Sequence, residues 1–204
     1  MRSAAPSTGA WLALAVAAAL PVAGRAAEMP EYRIVRGEVR VLCPLTVGGS
    51  FAAVTSSLSG TLEVAALRPA LLKGDLTVDL SSLDTGIALR NAHLRDKYLE
   101  VGKGGEFTTA VLSDVRLDKV ETATFHGQTP FTGMLLLHGT RKPVSGQADI
   151  RFEGGGVRVA ASFPVHIDDY GIAPPRYLGV GVKNEVQVKV SLLVTPAPAP
   201  GGAR

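Results

Sequence analysis

Most of the chain alternates. From Arg33 to Cys43, Val35, Gly37, Val39, Val41 and Cys43 fall on one side and Arg36, Glu38 and Arg40 on the other, the period-two pattern of a strand with one buried face. Pro44 follows and has no N–H to offer a ladder, so the strand ends there. After a Gly48-Gly49-Ser50 turn, Leu58–Leu67 resumes the alternation with Leu62, Val64 and Ala66 against Glu63. Arg68-Pro69 breaks it, and Lys73–Leu80 sets Leu76, Val78 and Leu80 against Asp75, Thr77 and Asp79. Phe107–Leu117 reads as a further strand, with Val120–Gly127 as its short hairpin partner. Phe131–Gly139 is apolar on both faces, so it is either covered on both sides or faces a second molecule. Val144–Phe152, Val157–Ile167 and Val180–Leu192 complete the series, the first two joined through Gly154-Gly155-Gly156, where glycine accepts positive φ freely.

One stretch departs from this period. Over Leu83–Tyr98, Ile87, Leu94 and Tyr98 recur at intervals of seven and four, which places them on one side of a helix of ~3.6 residues per turn. Asp84 or Thr85 supplies the side-chain acceptor for its first turn. About eight strands joined by short turns, with one short helix, predict an antiparallel barrel or sandwich capped at one end. The inward residues are mainly Val, Leu and Ala, aromatics make up 5% of the chain, and Trp11 is the one tryptophan. Side chains this small underfill a sandwich core but leave an eight-stranded barrel room for a small apolar ligand. The expectation is therefore an all-β, eight-stranded antiparallel barrel.

The two ends lie outside this pattern. Residues 1–27 hold Arg2, an apolar run from Ala10 to Val22 and a small-residue close, the layout of a secretory signal peptide and too short to span a bilayer. A retained N-terminal anchor is the alternative. Residues 195–204 are Pro/Gly-rich and read as a disordered tail, leaving 32–194 as one domain. The sequence pI of 9.2 invites a nucleic-acid partner. Taking Arg2 and Arg25 from the 21 Lys and Arg leaves 19 against 18 Asp and Glu, a net of +1. With no basic run interleaved with aromatics, nucleic acid is excluded as a partner.

Candidate chemistry is sparse. Cys43 is the sole cysteine and forms no internal disulfide; a buried structural thiol is weighed against a reactive or bridging one. His93, His126, His138 and His166 lack metal-ligand spacing, and no nucleophile elbow or phosphate loop is present. Asp168-Asp169 is a turn rather than an acid–base pair, because strand neighbours point to opposite faces. No catalytic constellation is visible, and the chain is not expected to be an enzyme. On the helix, Arg90, His93 and Lys97 make a basic ridge beside Asn91. It is either a solvated face or an anion and headgroup site at the mouth of an apolar lumen.

Four motifs then appear in order: SLDTGIALRNAHLRDKYLEV, GMLLLHGTRKPV, DDYGI and VGVKNEVQVKV. Together they resemble the YceI-like family of lipid- and polyisoprenoid-binding proteins, over about Tyr32 to Val194. The resemblance implies an extended lipocalin-like barrel whose apolar tunnel holds a long isoprenoid or related amphiphile, a quinone among the candidates, in a periplasmic, non-enzymatic protein. The family's helical Arg, His and Leu match Arg90, His93 and Leu94, while its frequent Asp is Asn91 here. A histidine common before the first long turn is absent, and Cys43-Pro44 occupies that region. The expected lumen residues are Val39, Val41, Leu62, Leu76, Val78, Phe163, Val165, Val186 and Val188. Those expected at the polar mouth are Arg90, Asn91, His93, Leu94 and Tyr98. No metal or cofactor is expected apart from the lipid itself, and the chain is expected as a monomer or homodimer. The alternative function is a closed β-domain that partners a membrane redox protein.

Overall fold

A computed structural model describes residues 31–66, 70–120, 125–153, 155–177 and 179–197. The expected leader over 1–27 and residues 198–204 of the expected tail lie outside the described residues, whereas Thr195 and Pro196, read as tail, belong to the last strand and pair with Arg33 and Tyr32. Twelve strands are present: β1 Glu31–Pro44, β2 Ser50–Thr55, β3 Leu58–Ala66, β4 Ala70–Lys73, β5 Leu76–Asp79, β6 Thr109–Leu117, β7 Gly127–Leu137, β8 Thr140–Glu153, β9 Gly156–His166, β10 Arg176–Tyr177, β11 Val180–Gly181 and β12 Glu185–Pro196. Ten of them form one antiparallel sheet that closes through β1–β3, while β10 and β11 pair only with each other. β2 and β3 run end to end beside β1, and β4 and β5 run end to end between β3 and β6. Each broken pair acts as one stave. The result is the expected closed eight-staved barrel.

The breaks explain where the sequence pattern misled. Lys73–Leu80 is not one strand, because the stave kinks at Gly74, φ +103°, opposite Gly60, φ +145°. A Cβ at either glycine would run into the backbone carbonyl of Asp75 or Thr61 across the kink, so only glycine lets the two staves approach so closely. β1 carries a bulge between Ile34 and Arg36. The extra residue reverses the side-chain parity, which turns Val35 out to 60% exposure and brings Ile34 against the core. The alternation through Val35 is thereby corrected. β2 was not anticipated. Val120 lies outside any strand, residues 121–124 of the expected hairpin partner are not described, and β7 begins at Gly127. On β7, Phe131 and Leu135 are buried inside, and Met134 and Leu136 are half-buried outside, opposite Pro143 and Arg141.

The helix is shorter than its sequence span. α1 covers Ala88–His93 only, and Leu94–Tyr98 continues as a single π-turn closed by the Leu99 amide on the Leu94 carbonyl. Ile87 holds the N-cap position without any side-chain bond and is 49% exposed. Asp84 and Thr85 do not cap it, because both are committed to the Asn91 side chain. The segment lies across one end of the barrel. The Val54–Asp84 bridge, with amide–carbonyl bonds of 2.8 and 2.9 Å, anchors its approach to β2.

Candidate functional site: an apolar cavity under the helical cover

The inward positions of the staves converge on a cavity of about 160 Å³ beneath α1, lined by apolar side chains. Its walls include Val39 and Val41 of β1, Leu76 and Val78 of β5, Phe163 and Val165 of β9, and Val186 and Val188 of β12. Its lid is Leu94, Tyr98 and Leu99 from the π-turn, with Leu80 and Leu83 from the preceding turn. The π-turn matters here. The extra residue in the turn shifts the phase of the helix, so Leu94, Tyr98 and Leu99 all face the cavity, while Ile87 and Leu89 of the helical stretch stay exposed.

Eight of the nine expected lumen residues thus line one cavity. Leu62 does not. It faces a second apolar cavity of about 100 Å³ at the other end of the barrel, with Tyr32, Val64, Leu72 and Ile150. Alternation places a residue on the inner face but says nothing of its height along the barrel axis, and Leu62 is at the wrong height.

Two members of the expected basic ridge meet rings of the cavity wall, Arg90 at Phe51 and Lys97, whose Nζ stands 5.7 Å from the Tyr98 centroid. Arg90 lies with its guanidinium 4.2 Å from the centroid of the Phe51 ring, a cation–π contact, and Phe51 is itself a wall residue. The charge of Arg90 therefore sits at the rim of the cavity. His93 and Lys97 are exposed. Asn91 has a structural role. Its Oδ1 accepts from the Thr85 amide at 2.8 Å and the Thr85 hydroxyl at 2.6 Å, and its Nδ2 donates to Asp84 Oδ1 at 2.7 Å. These bonds, with that from the Gly86 amide, hold the Asp84 carboxyl below the usual carboxylate range.

Several wall residues escaped the sequence reading. Phe51 and Ala53 belong to the unanticipated β2, and Ile172, Pro175 and Val182 come from the segment between β9 and β12, which reads as turn and loop. Cys43 shares the parity of Val39 and Val41 and lines the cavity. Burial pushes its thiol up to about 11, against a small opposing pull from Arg90, which fits the structural reading. Asp168 lies in a turn, as expected, where its Oδ1 accepts from Asn184 Nδ2 at 2.6 Å. His138 is better placed than its sequence context indicated. Its Nδ1 donates to the Tyr170 carbonyl at 2.9 Å and its Nε2 lies 3.0 Å from Glu100 Oε2, which ties the β7–β8 turn to two loops beside the cavity. Among the described residues, no group of three His, Cys, Asp or Glu is placed to hold a metal ion.

The model of the YceI-like domain matches residues 34–194. No curated protein matches the chain. Among solved structures, a polyisoprenoid binding domain from Saccharophagus degradans, implicated in plant cell wall breakdown, is similar at 16% identity and TM-score 0.57. The match covers 81% of this chain and 98% of that one. BcnA of Burkholderia cenocepacia is similar at 16% identity and TM-score 0.58, over 78% of this chain and 96% of its own. Both likenesses are of fold.

Proposed function

The chain belongs to the YceI-like domain family, and from that premise we propose that it is an exported, non-catalytic binding protein. It holds the hydrocarbon tail of a polyisoprenoid or similar amphiphile, a quinone included, for carriage or sequestration in the periplasm. The observation that carries the proposal is the cavity under the helical cover, walled by apolar side chains, with the cations Arg90 and Lys97 against rings at its rim. Such a cavity disfavours water and favours a hydrocarbon, at ~0.8 kcal/mol for each methylene buried. Arg90 orients the polar head by a charge-assisted bond. Asn91 positions the cover through its bonds to Thr85 and Asp84. The fold shared with the Saccharophagus degradans polyisoprenoid binding domain supports the same reading.

Native mass spectrometry of the exported protein, followed by organic extraction of the bound material, tests it. A stoichiometric adduct that extracts as an isoprenoid or quinone is the expected result. A clean apo mass that persists after incubation with long-chain isoprenoids would refute the carrier reading and favour a β-domain that partners a membrane redox protein.

A further inference from the structure

Among the described residues, six large apolar side chains are exposed: Val35, Val47, Ile87, Leu89, Phe152 and Val180. Four of them stand at the covered end of the barrel. Val47, 67% exposed, lies in the turn that joins β1 to β2. That turn adjoins the β10–β11 hairpin, which carries Val180. Leu45 bridges Val182, the Thr46 amide donates to the Gly181 carbonyl at 2.8 Å, and the Gly181 amide donates to the Thr46 hydroxyl oxygen at 3.0 Å. α1 comes to the same side, because the Arg90 guanidinium lies over the ring of Phe51 at the start of β2. Ile87 and Leu89 of this segment are exposed, Leu89 to 67%. The other two lie toward the far end: Phe152 lines the lower cavity, and Val35 belongs to the half of β1 whose Tyr32 does so.

Charge is divided in the same way. Segments 44–50, 84–98 and 172–183, which carry the four apolar residues, hold Arg90, Arg95, Lys97, Arg176 and Lys183 against Asp84 and Asp96, a net of +3. Taking these from the 19 basic and 18 acidic residues beyond the leader leaves 14 against 16, a net of −2. The acidic groups of this end gather across the mouth, at the β7–β8 turn. There Glu100 meets His138, Glu106 lies beside Gly139, and Asp168 and Asp169 precede Tyr170, whose carbonyl takes the other His138 nitrogen. In stave order that turn stands opposite the β1–β2 turn.

We propose that the side of the mouth formed by the β1–β2 turn, the β10–β11 hairpin and α1 is a docking surface for an anionic lipid bilayer. Val47, Ile87, Leu89 and Val180 enter the interfacial layer, and the cations among them remain at the phosphates. The acidic side is repelled, so the barrel docks tilted, with the mouth of the cavity against the lipid. Charge favours lipid over a second copy of the chain, because a two-fold interface would set +3 against +3. Docking concerns the outer surface and stands independently of what the lumen holds.

Flotation of the exported protein with vesicles tests this, using phosphatidylethanolamine with about 30% phosphatidylglycerol and no isoprenoid. The wild type is expected to float, and to do so at least tenfold less on pure phosphatidylcholine or in about 1 M salt, where the Debye length is ~3 Å. Each Lys or Arg at an anionic surface contributes about fivefold, so Arg176→Gln with Lys183→Gln is expected to lower partitioning about 25-fold. Ile87→Ser with Leu89→Ser is expected to lower it at least tenfold. Val35→Ser, at the far end, is expected to change nothing. Failure of the wild type to float would overturn docking and leave tail binding to the mass spectrometry above. Flotation unchanged in both paired variants, equal on phosphatidylcholine, or lost equally in Val35→Ser would overturn it too. Light scattering that records a dimer, dissociated by Ile87→Ser with Leu89→Ser, would give the face to a second copy and overturn the lipid assignment.

Discussion

The cover over the cavity is held by an unusual balance, and Asn91→Ala is the perturbation that weighs it. α1 is six residues long, buries none of them and has no side-chain cap. Helices shorter than ~12 residues are marginal in water without tertiary support, so its position depends on what it is tied to. Three ties pass through one side chain: two bonds from Thr85 into Asn91 Oδ1 and one from Asn91 Nδ2 to Asp84. At ~0.5–1.5 kcal/mol each, and toward the low end for partly exposed groups, their loss totals about 1–3 kcal/mol. Asp84 stays bridged to Val54, so the loss falls on the cover and not on the barrel. Hydrogen exchange followed by mass spectrometry reads this directly, because local opening sets amide protection. Protection over 88–99 should fall by about ten- to a hundredfold, with β8 and β9 unchanged. No change over 88–99, or an equal loss throughout the barrel, would refute the reasoning.

Asn91→Asp sharpens the test through its sign. In the wild type the Asp84 carboxyl is held below its ordinary range, first by Asn91 and then by the Gly86 amide. A depressed carboxyl stabilises above its unfolded pKa of ~3.9 and loses that contribution as pH falls through the folded value. The wild-type cover should therefore loosen on acidification. In Asn91→Asp a second carboxylate faces Asp84 Oδ1, and one of the pair is driven upward in pKa. Its cover should be loose near neutrality and tighten as the pair takes up a shared proton. Parallel pH profiles for the two proteins would sink the account.

Two further predictions concern the cavity wall and the loops beside it. With its thiol pushed from 9.0 up to about 11, Cys43 should be alkylated by iodoacetamide at pH 8 about a hundredfold more slowly than a free cysteine; an ordinary rate would show that the site is open to water. His138→Phe keeps a ring against Phe107, whose centroid is 4.6 Å away, but removes the bonds to the Tyr170 carbonyl and Glu100. It should cost about 1–3 kcal/mol, and calorimetry should record a fall in Tm of ~2–4 °C per kcal/mol. An unchanged Tm would show that these contacts carry nothing.

Alternation along β8, β9 and β12 made the barrel legible because those staves are long and unbroken, so period two persists for ten residues or more. It failed where the staves break or slip. Nothing in the composition of Glu31–Gly37 marks the bulge that turns Val35 outward. β2 passed unread because Ser50–Thr55 is short and its Ala52-Ala53-Val54 core has no alternation. The wall residues of β1, β5, β9 and β12 were legible for the same reason as their strands, whereas Leu62 shows that face and height are separate pieces of information. Asn91 was legible as a polar helix residue but not as a clasp. Its partners lie six and seven residues earlier, beyond the i, i+4 reach that helical spacing reveals.

The two ends of the barrel interior are closed by different physics, and that difference gives the carrier reading a direction. Toward the lower cavity the interior holds the buried side chains of Phe131 and Leu192, with Phe131 edge-on to Phe163 at 5.7 Å, and opening it means losing contacts at core density. Toward solvent, the upper cavity is covered by a short helix without buried residues, a π-turn, three polar ties at Asn91 and one cation–π contact at Phe51. Opening this cover exposes Leu94, Tyr98 and Leu99 but returns the polar groups to water, which replaces most of what they lose. The upper end therefore opens at lower free energy than the packed interior below it, and on the carrier reading proposed above a tail enters there, head last. On that same reading it finishes with its polar group beside Arg90. Orientation then follows from the unequal cost of opening the two ends and needs no second binding residue.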